Sequence, residues 1–90
     1  MKVEYAGRAL WQLQAVYEYL VARNPRAAHE VRASIELTIA RLAYLPRLGK
    51  LTDEHDVHMI VEPDYLYRVF YVVDAERVIV LRILHGSQSR

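Results

Sequence analysis

Residues 65–84, which read YLYRVFYVVDAERVIVLRIL, decide the fold class of this chain. Residues 65–73 are dense in aromatic and β-branched side chains, which favour strands, and residues 77–84 form a second run of the same kind. The short polar segment 74–76 between the two runs can reverse the direction of the chain. The stretch therefore predicts two strands joined by a short turn.

Two further strands are predicted outside this stretch. Residues 57–62 form one β-type run, which ends at the turn signal Pro63-Asp64. Residues 2–5 alternate polar and apolar side chains, which indicates a short strand at the N-terminus.

Two amphipathic helices are predicted between the N-terminal strand and the others. The first carries an apolar stripe formed by Leu10, Leu13, Tyr17 and Leu20. The second carries a stripe formed by Ala28, Val31, Ile35, Thr38, Leu42 and Leu45. Asn24 can cap the second helix, with Pro25 in its first position. The resulting order, β-α-α-β-β-β, predicts an α+β fold in which the N-terminal strand and an α-helical hairpin pack on an antiparallel β-sheet.

Composition narrows the class of protein. The chain has 90 residues, 53% of them hydrophobic, which predicts one globular domain over residues 1–90. It has no cysteine, no leader-like N-terminal segment and no apolar run of about 20 residues, so we expect a cytoplasmic protein without a membrane span. The net charge is only +1, and residues 53–64 hold five acidic and no basic side chains. This is not the charge pattern of a typical nucleic-acid-binding domain.

The predicted sheet is apolar on both faces. Two helices can cover one face only, yet residues 65–73 are apolar or aromatic at nearly every position. In the last strand, Val78, Val80 and Arg82 alternate with Ile79, Leu81 and Ile83. An uncovered apolar face usually marks a partner surface, although the first strand, tyrosine hydroxyls and the C-terminal tail offer alternative cover.

Few residues suggest chemistry. His55 and His58 lie in an acidic stretch that is typical of a solvated loop, and no set of three or four convergent metal ligands stands out. No phosphate-binding glycine loop or nucleophile motif is present, so no cofactor is expected. Arg68 and Arg82 interrupt apolar strands, where a guanidinium needs an ion pair, water or a partner. For Arg68 the alternative to a partner contact is an ion pair with Glu62 or Asp64.

Several segments occur in a characteristic order along the chain. They are residues 9–20, NPRAA at 24–28, LPRLG at 45–49, YRVFYVVD at 67–74 and VIVLRILHG at 78–86. Together they span nearly the whole chain and resemble the toxins of the RelE/ParE superfamily, and the LRILHG ending resembles the ParE-like branch. The resemblance implies a toxin held inactive by an antitoxin, which wraps it with a C-terminal segment.

The superfamily divides by target. RelE-like members are ribosome-dependent endoribonucleases, whereas ParE-like members are associated with inhibition of DNA gyrase. Arg68 matches an arginine of the RelE-like cleavage site. The second RelE-like arginine falls at Gln88, and their catalytic tyrosine falls beyond Arg90. Their lysine cluster corresponds to Thr52-Asp53-Glu54-His55-Asp56, a stretch that is acidic rather than basic. His58 stands where many ParE-like sequences have arginine.

The resemblance therefore implies the toxin of a type II toxin–antitoxin system that inhibits DNA gyrase and forms a hetero-oligomer with its antitoxin. DNA would be contacted only through the antitoxin. Two alternatives stay open: a ribosome-dependent mRNA endoribonuclease, with Arg68, Arg82 and His85 as candidate catalytic residues, and a non-toxic relic that only binds its antitoxin. The residues expected to bind the target or the antitoxin are His58, Arg68, Arg82, His85, Gln88 and Arg90.

Overall fold

The computed structural model describes residues 1–85. Its elements are β1 (Lys2–Tyr5), α1 (Gly7–Val21), α2 (Pro25–Ala40), a 3-10 turn (Arg41–Ala43), β2 (Lys50–Leu51), β3 (His58–Val61), β4 (Tyr67–Val73) and β5 (Arg77–His85). The predicted α+β fold is confirmed, and β2 is added to the predicted strands. A two-residue strand is too short for alternation of side chains to reveal it.

The five strands form one sheet in the order β1-β5-β4-β3-β2. Strands β2 to β5 pair antiparallel, as predicted, whereas β1 lies parallel to β5, with Val3 opposite Val78 and Tyr5 opposite Val80. The α1–α2 hairpin packs on one face of the sheet, called here the helix face; the opposite side is called the second face. In the described residues no helix is both long and apolar enough to cross a membrane.

The first helix packs through a stripe that differs by one position from the predicted one. Leu13 is buried and Leu20 packs against the core, but Leu10 is 54% exposed, so its predicted core position is wrong. Ala9 is fully buried instead, and Val16 also packs inward. Ala9 and Leu13 are therefore the buried residues of α1.

The second helix begins as predicted and ends earlier than predicted. The Asn24 side-chain oxygen accepts a hydrogen bond of 3.2 Å from the Ala27 amide, and Pro25 is the first helical residue. Ile35 and Leu42 are fully buried, but Leu45 is 56% exposed, so that end of the predicted stripe is wrong. The α-helix ends at Ala40 and tightens into the 3-10 turn, which changes the period that the prediction had assumed.

A β-bulge in β5 overturns the predicted alternation of that strand. Phe70 lies opposite Arg82, but Tyr71 lies opposite Val80, so Leu81 is an extra residue. Ile83 therefore joins Val80 on the helix face rather than lying with Ile79 and Leu81, as strict alternation predicts. Leu81 and Arg82 consequently both lie toward the second face.

The second face is apolar, as predicted, but its centre is covered within the chain. Val57, Phe70 and Leu84 form a buried cluster there, with Met59, Val72 and Leu81 packed against it, and Phe70 is only 1% exposed. The predicted uncovered apolar face is therefore reduced to its margin, where Val61 remains exposed.

Candidate functional site

Arg82 is a mostly buried charged residue of the second face. Its side chain is 13% exposed, and its guanidinium lies 4.2 Å from the centre of the Phe70 ring, close enough for a cation–π contact. The Arg82 Nη2 donates a hydrogen bond of 3.0 Å to the Glu54 carboxylate. The guanidinium is thus desolvated, stacked and neutralised by a side chain of the acidic stretch.

The segment that carries Glu54 is held in a defined conformation. The Thr52 amide and hydroxyl both donate to the Val57 carbonyl, at 2.8 and 2.9 Å, and the Glu54 amide donates to the Thr52 hydroxyl at 3.1 Å. The buried Val57 side chain anchors the segment in the apolar cluster of the second face. Residues 52–57, called here the acidic loop, therefore place Glu54 beside Arg82.

A shallow depression of about 250 Å³ lies between the acidic loop and the start of α1. It is lined by two arginines and two acidic residues, namely Arg8, Arg82, Asp53 and Glu54. Sequence reasoning missed Arg8 and treated the acidic stretch as a solvated loop. The sequence signal that could have linked them is the apolar residue Val57 at the end of the acidic stretch. Its burial in the sheet draws the loop toward Arg82.

Arg68 lies on the same face as Arg82. It stands in β4 opposite Val61 and Leu84, and the buried Leu84 fixes the face on which the Arg68 side chain lies. The Glu62 carboxylate, one of the two ion-pair partners considered for Arg68, accepts hydrogen bonds from Ser34 and from the backbone amides of Asp64 and Tyr65.

Glu62 forms a buried polar junction that sequence reasoning did not identify. Its carboxylate accepts hydrogen bonds from the Ser34 hydroxyl and from the amides of Asp64 (2.9 Å) and Tyr65 (2.8 Å). Burial by itself would raise the pKa of Glu62, but these hydrogen bonds lower it below its usual value. The ionised carboxylate thus ties α2 to the turn between β3 and β4.

The two histidines among the candidate residues lie away from the two arginines. His58 is buried on the helix face, where its ring stacks on Tyr71 with centroids 5.2 Å apart. The His85 ring packs edge-on against Tyr67 at 5.1 Å, and Tyr67 also packs against the core on the helix face. The structure therefore brings Arg68 and Arg82 to the second face and places His58 and His85 on the opposite one.

Gln88 and Arg90 lie outside the described residues. The His55 ring contacts the Asp56 carboxylate at 3.0 Å, and both side chains are largely exposed. Within residues 1–85, no three or more histidine, aspartate or glutamate side chains converge on a possible metal position.

A helical hairpin packed on a five-stranded sheet is the α+β fold that the resemblance to small toxins predicts. A sequence profile of the ParE toxin of type II toxin–antitoxin systems matches residues 3–90. The chain therefore belongs to the ParE toxin family, within the RelE/ParE superfamily, and is a toxin of a type II toxin–antitoxin system. The predicted superfamily is confirmed.

Individual relatives carry names from both branches. Toxin RelE2 of Caulobacter vibrioides is 30% identical over 87 residues, covering 97% of each chain. A solved structure of the chromosomal ParDE system of P. aeruginosa superposes with a TM-score of 0.83 at 18% identity, covering 94% of this chain and 95% of the other. The E. coli RelBE toxin–antitoxin complex superposes with a TM-score of 0.71 at 20% identity, covering 97% and 98%. These likenesses establish the shared fold.

Proposed function

We propose that this toxin inhibits DNA gyrase in the cytoplasm and is neutralised by a cognate antitoxin in a hetero-oligomeric complex. The alternative is cleavage of mRNA on the ribosome, which requires an acid–base group and cationic groups around one phosphate. The choice between the two targets depends on how the candidate catalytic residues are arranged.

One observation supports the gyrase proposal above the others: the candidate acid–base residue and the candidate cations lie on opposite faces of the sheet. His85 packs on Tyr67 at the helix face, whereas Arg82 stacks on Phe70 at the second face. A general acid or base must lie within hydrogen-bonding reach of the atom that it serves. This arrangement therefore favours the gyrase proposal over cleavage by His85 and Arg82.

The charge of the acidic loop supports the same proposal. Glu54 already pairs with Arg82, and Asp53 lines the same depression. The depression therefore presents no net positive charge to RNA phosphates, and attraction of phosphates to cations dominates the affinity of most proteins for nucleic acids.

An antitoxin partner is supported by the relatives and by the surface. The similar RelBE structure of E. coli is a toxin–antitoxin complex. Several large apolar side chains lie on the surface of this chain and not in its core. The most exposed are Tyr44, Trp11, Leu51 and Tyr19. An antitoxin that covers such residues would bury a standard interface of about 1,600 Å² in total.

Two assays on the purified toxin decide between the targets. We expect the toxin to inhibit supercoiling by DNA gyrase and to leave mRNA on translating ribosomes uncut in primer extension. Addition of the antitoxin encoded by the neighbouring gene should restore supercoiling. Discrete mRNA cuts with unaffected supercoiling would replace this proposal with the endoribonuclease. A chain inactive in both assays that still binds the antitoxin would be the non-toxic relic.

A further inference from the structure

Arg82 is built to bind an oxyanion. Its guanidinium stacks on Phe70, its side chain is mostly buried, and the bulge at Leu81 sets the direction in which it projects. A guanidinium whose orientation is already fixed loses little conformational entropy on binding, and its planar donors match the oxygens of a carboxylate or phosphate. Arg8 lines the depression beside it, which supplies a second cation.

In the described part of the chain, the Glu54 carboxylate occupies this oxyanion position. The Glu54 carboxylate accepts from Arg82 at 3.0 Å, and the acidic loop holds Glu54 in place through the bonds between Thr52 and Val57. The Glu54 side chain is itself 51% exposed. The pair joins a mostly buried guanidinium to a half-exposed carboxylate, so Glu54 neutralises Arg82 from the side on which a ligand would approach from solvent.

We propose that Glu54 is a specificity-determining residue: its carboxylate closes the Arg8–Arg82 depression to nucleic-acid phosphates. With Glu54 in place, the two arginines are balanced by Glu54 and Asp53, and an approaching phosphate meets no net positive charge. Without Glu54 one positive charge is uncompensated, and the Arg82 donors that Glu54 engages become available to a phosphate. This inference rests on the proposed function only in that it explains why an RNA target is disfavoured.

The test is binding of a short single-stranded oligoribonucleotide to the full chain, measured by fluorescence anisotropy over a series of salt concentrations. Glu54→Ala removes the internal carboxylate. Glu18→Ala is the matched control, because Glu18 is an exposed glutamate on α1 and its replacement changes the net charge equally. We expect Glu54→Ala to bind about five-fold tighter than the wild type at low salt. Its plot of log affinity against log salt should be steeper by about 0.7, which corresponds to one added phosphate contact on a single strand.

A second substitution ties the gain to Arg82. Arg82→Lys keeps the charge but removes the stacked fork, so the double variant Glu54→Ala/Arg82→Lys should lose most of the gain. Arg8→Ala in the Glu54→Ala background avoids any disturbance of the sheet and should lose part of it. Equal gains in Glu54→Ala and Glu18→Ala would show a general charge effect and overturn the proposal, as would an unchanged affinity in Glu54→Ala. Because gyrase takes no part in this measurement, failure of the gyrase proposal would leave it unaffected.

Discussion

Replacing Glu62 with glutamine should destabilise this protein far more than the loss of one charge on its surface. The carboxylate accepts from the amides of Asp64 and Tyr65 through different oxygens, and from the Ser34 hydroxyl. Glutamine has one oxygen and one NH₂ group in place of the two carboxylate oxygens. In either orientation its NH₂ group, which is a donor, faces one of the two backbone N–H groups, which is also a donor. A hydrogen bond to a charged group contributes about 1.5–3 kcal/mol, and an unsatisfied buried amide costs about 1–3 kcal/mol. We expect Glu62→Gln to lower the free energy of unfolding by about 3 kcal/mol.

The pH dependence of this effect has a defined sign. The pKa of Glu62 is lower in the folded chain than its ordinary value, so its stabilisation is present above the unfolded pKa of about 4.3. That stabilisation is lost as the pH falls through the folded pKa, because the wild-type side chain then becomes protonated. The difference in stability between wild type and Glu62→Gln should therefore be largest near neutral pH and should shrink in acid.

Urea unfolding monitored by circular dichroism, at neutral pH and at several acidic values, measures both quantities. Glu30→Gln is the control, because Glu30 lies in an exposed pair with Arg26 on α2 and should contribute less than about 1 kcal/mol. Ser34→Ala removes one donor only and should cost about half as much as Glu62→Gln. A Glu62→Gln variant as stable as Glu30→Gln, or a stability difference that does not change with pH, would refute this account of the junction.

Three other predictions test the fold and the target. A Cβ atom on Gly49 would lie 2.7 Å from the backbone oxygen of Met59. Gly49→Ala should therefore lower the free energy of unfolding in urea by about 2 kcal/mol or more. An unchanged unfolding midpoint would contradict this close approach. Ile35→Ala and Leu42→Ala each empty a fully buried position and should cost about 2–5 kcal/mol in the same experiment, whereas losses under about 1 kcal/mol would contradict their core position. Gln88 and Arg90 are among the residues predicted to bind the target, so removal of residues 86–90 should abolish inhibition of supercoiling. Full inhibition by the shortened chain would exclude this segment as the contact with the target.

The sequence by itself determined the order and type of the main elements. Periodicity and capping are local properties, so they located α2 from its Asn24–Pro25 start and predicted strands at β1, β3, β4 and β5. The same local signals misplaced single residues wherever the backbone departs from a regular period. The predicted inward position of Leu45 is wrong because α2 tightens into a 3-10 turn. The predicted face of Ile83 is wrong because β5 carries a bulge at Leu81.

What only the tertiary structure decided is which polar groups meet. Arg82 and Glu54 are 28 positions apart, as are Ser34 and Glu62, and no local pattern predicts either pair. One bulge residue in β5 places Arg82 on the second face with Leu84, so that His85 falls on the opposite face. The side chain of each residue in a strand points to one of two faces, so the insertion of a single residue reassigns every side chain beyond it. That reassignment depends on the pairing of β5 with β4, which exists only once the sheet has formed.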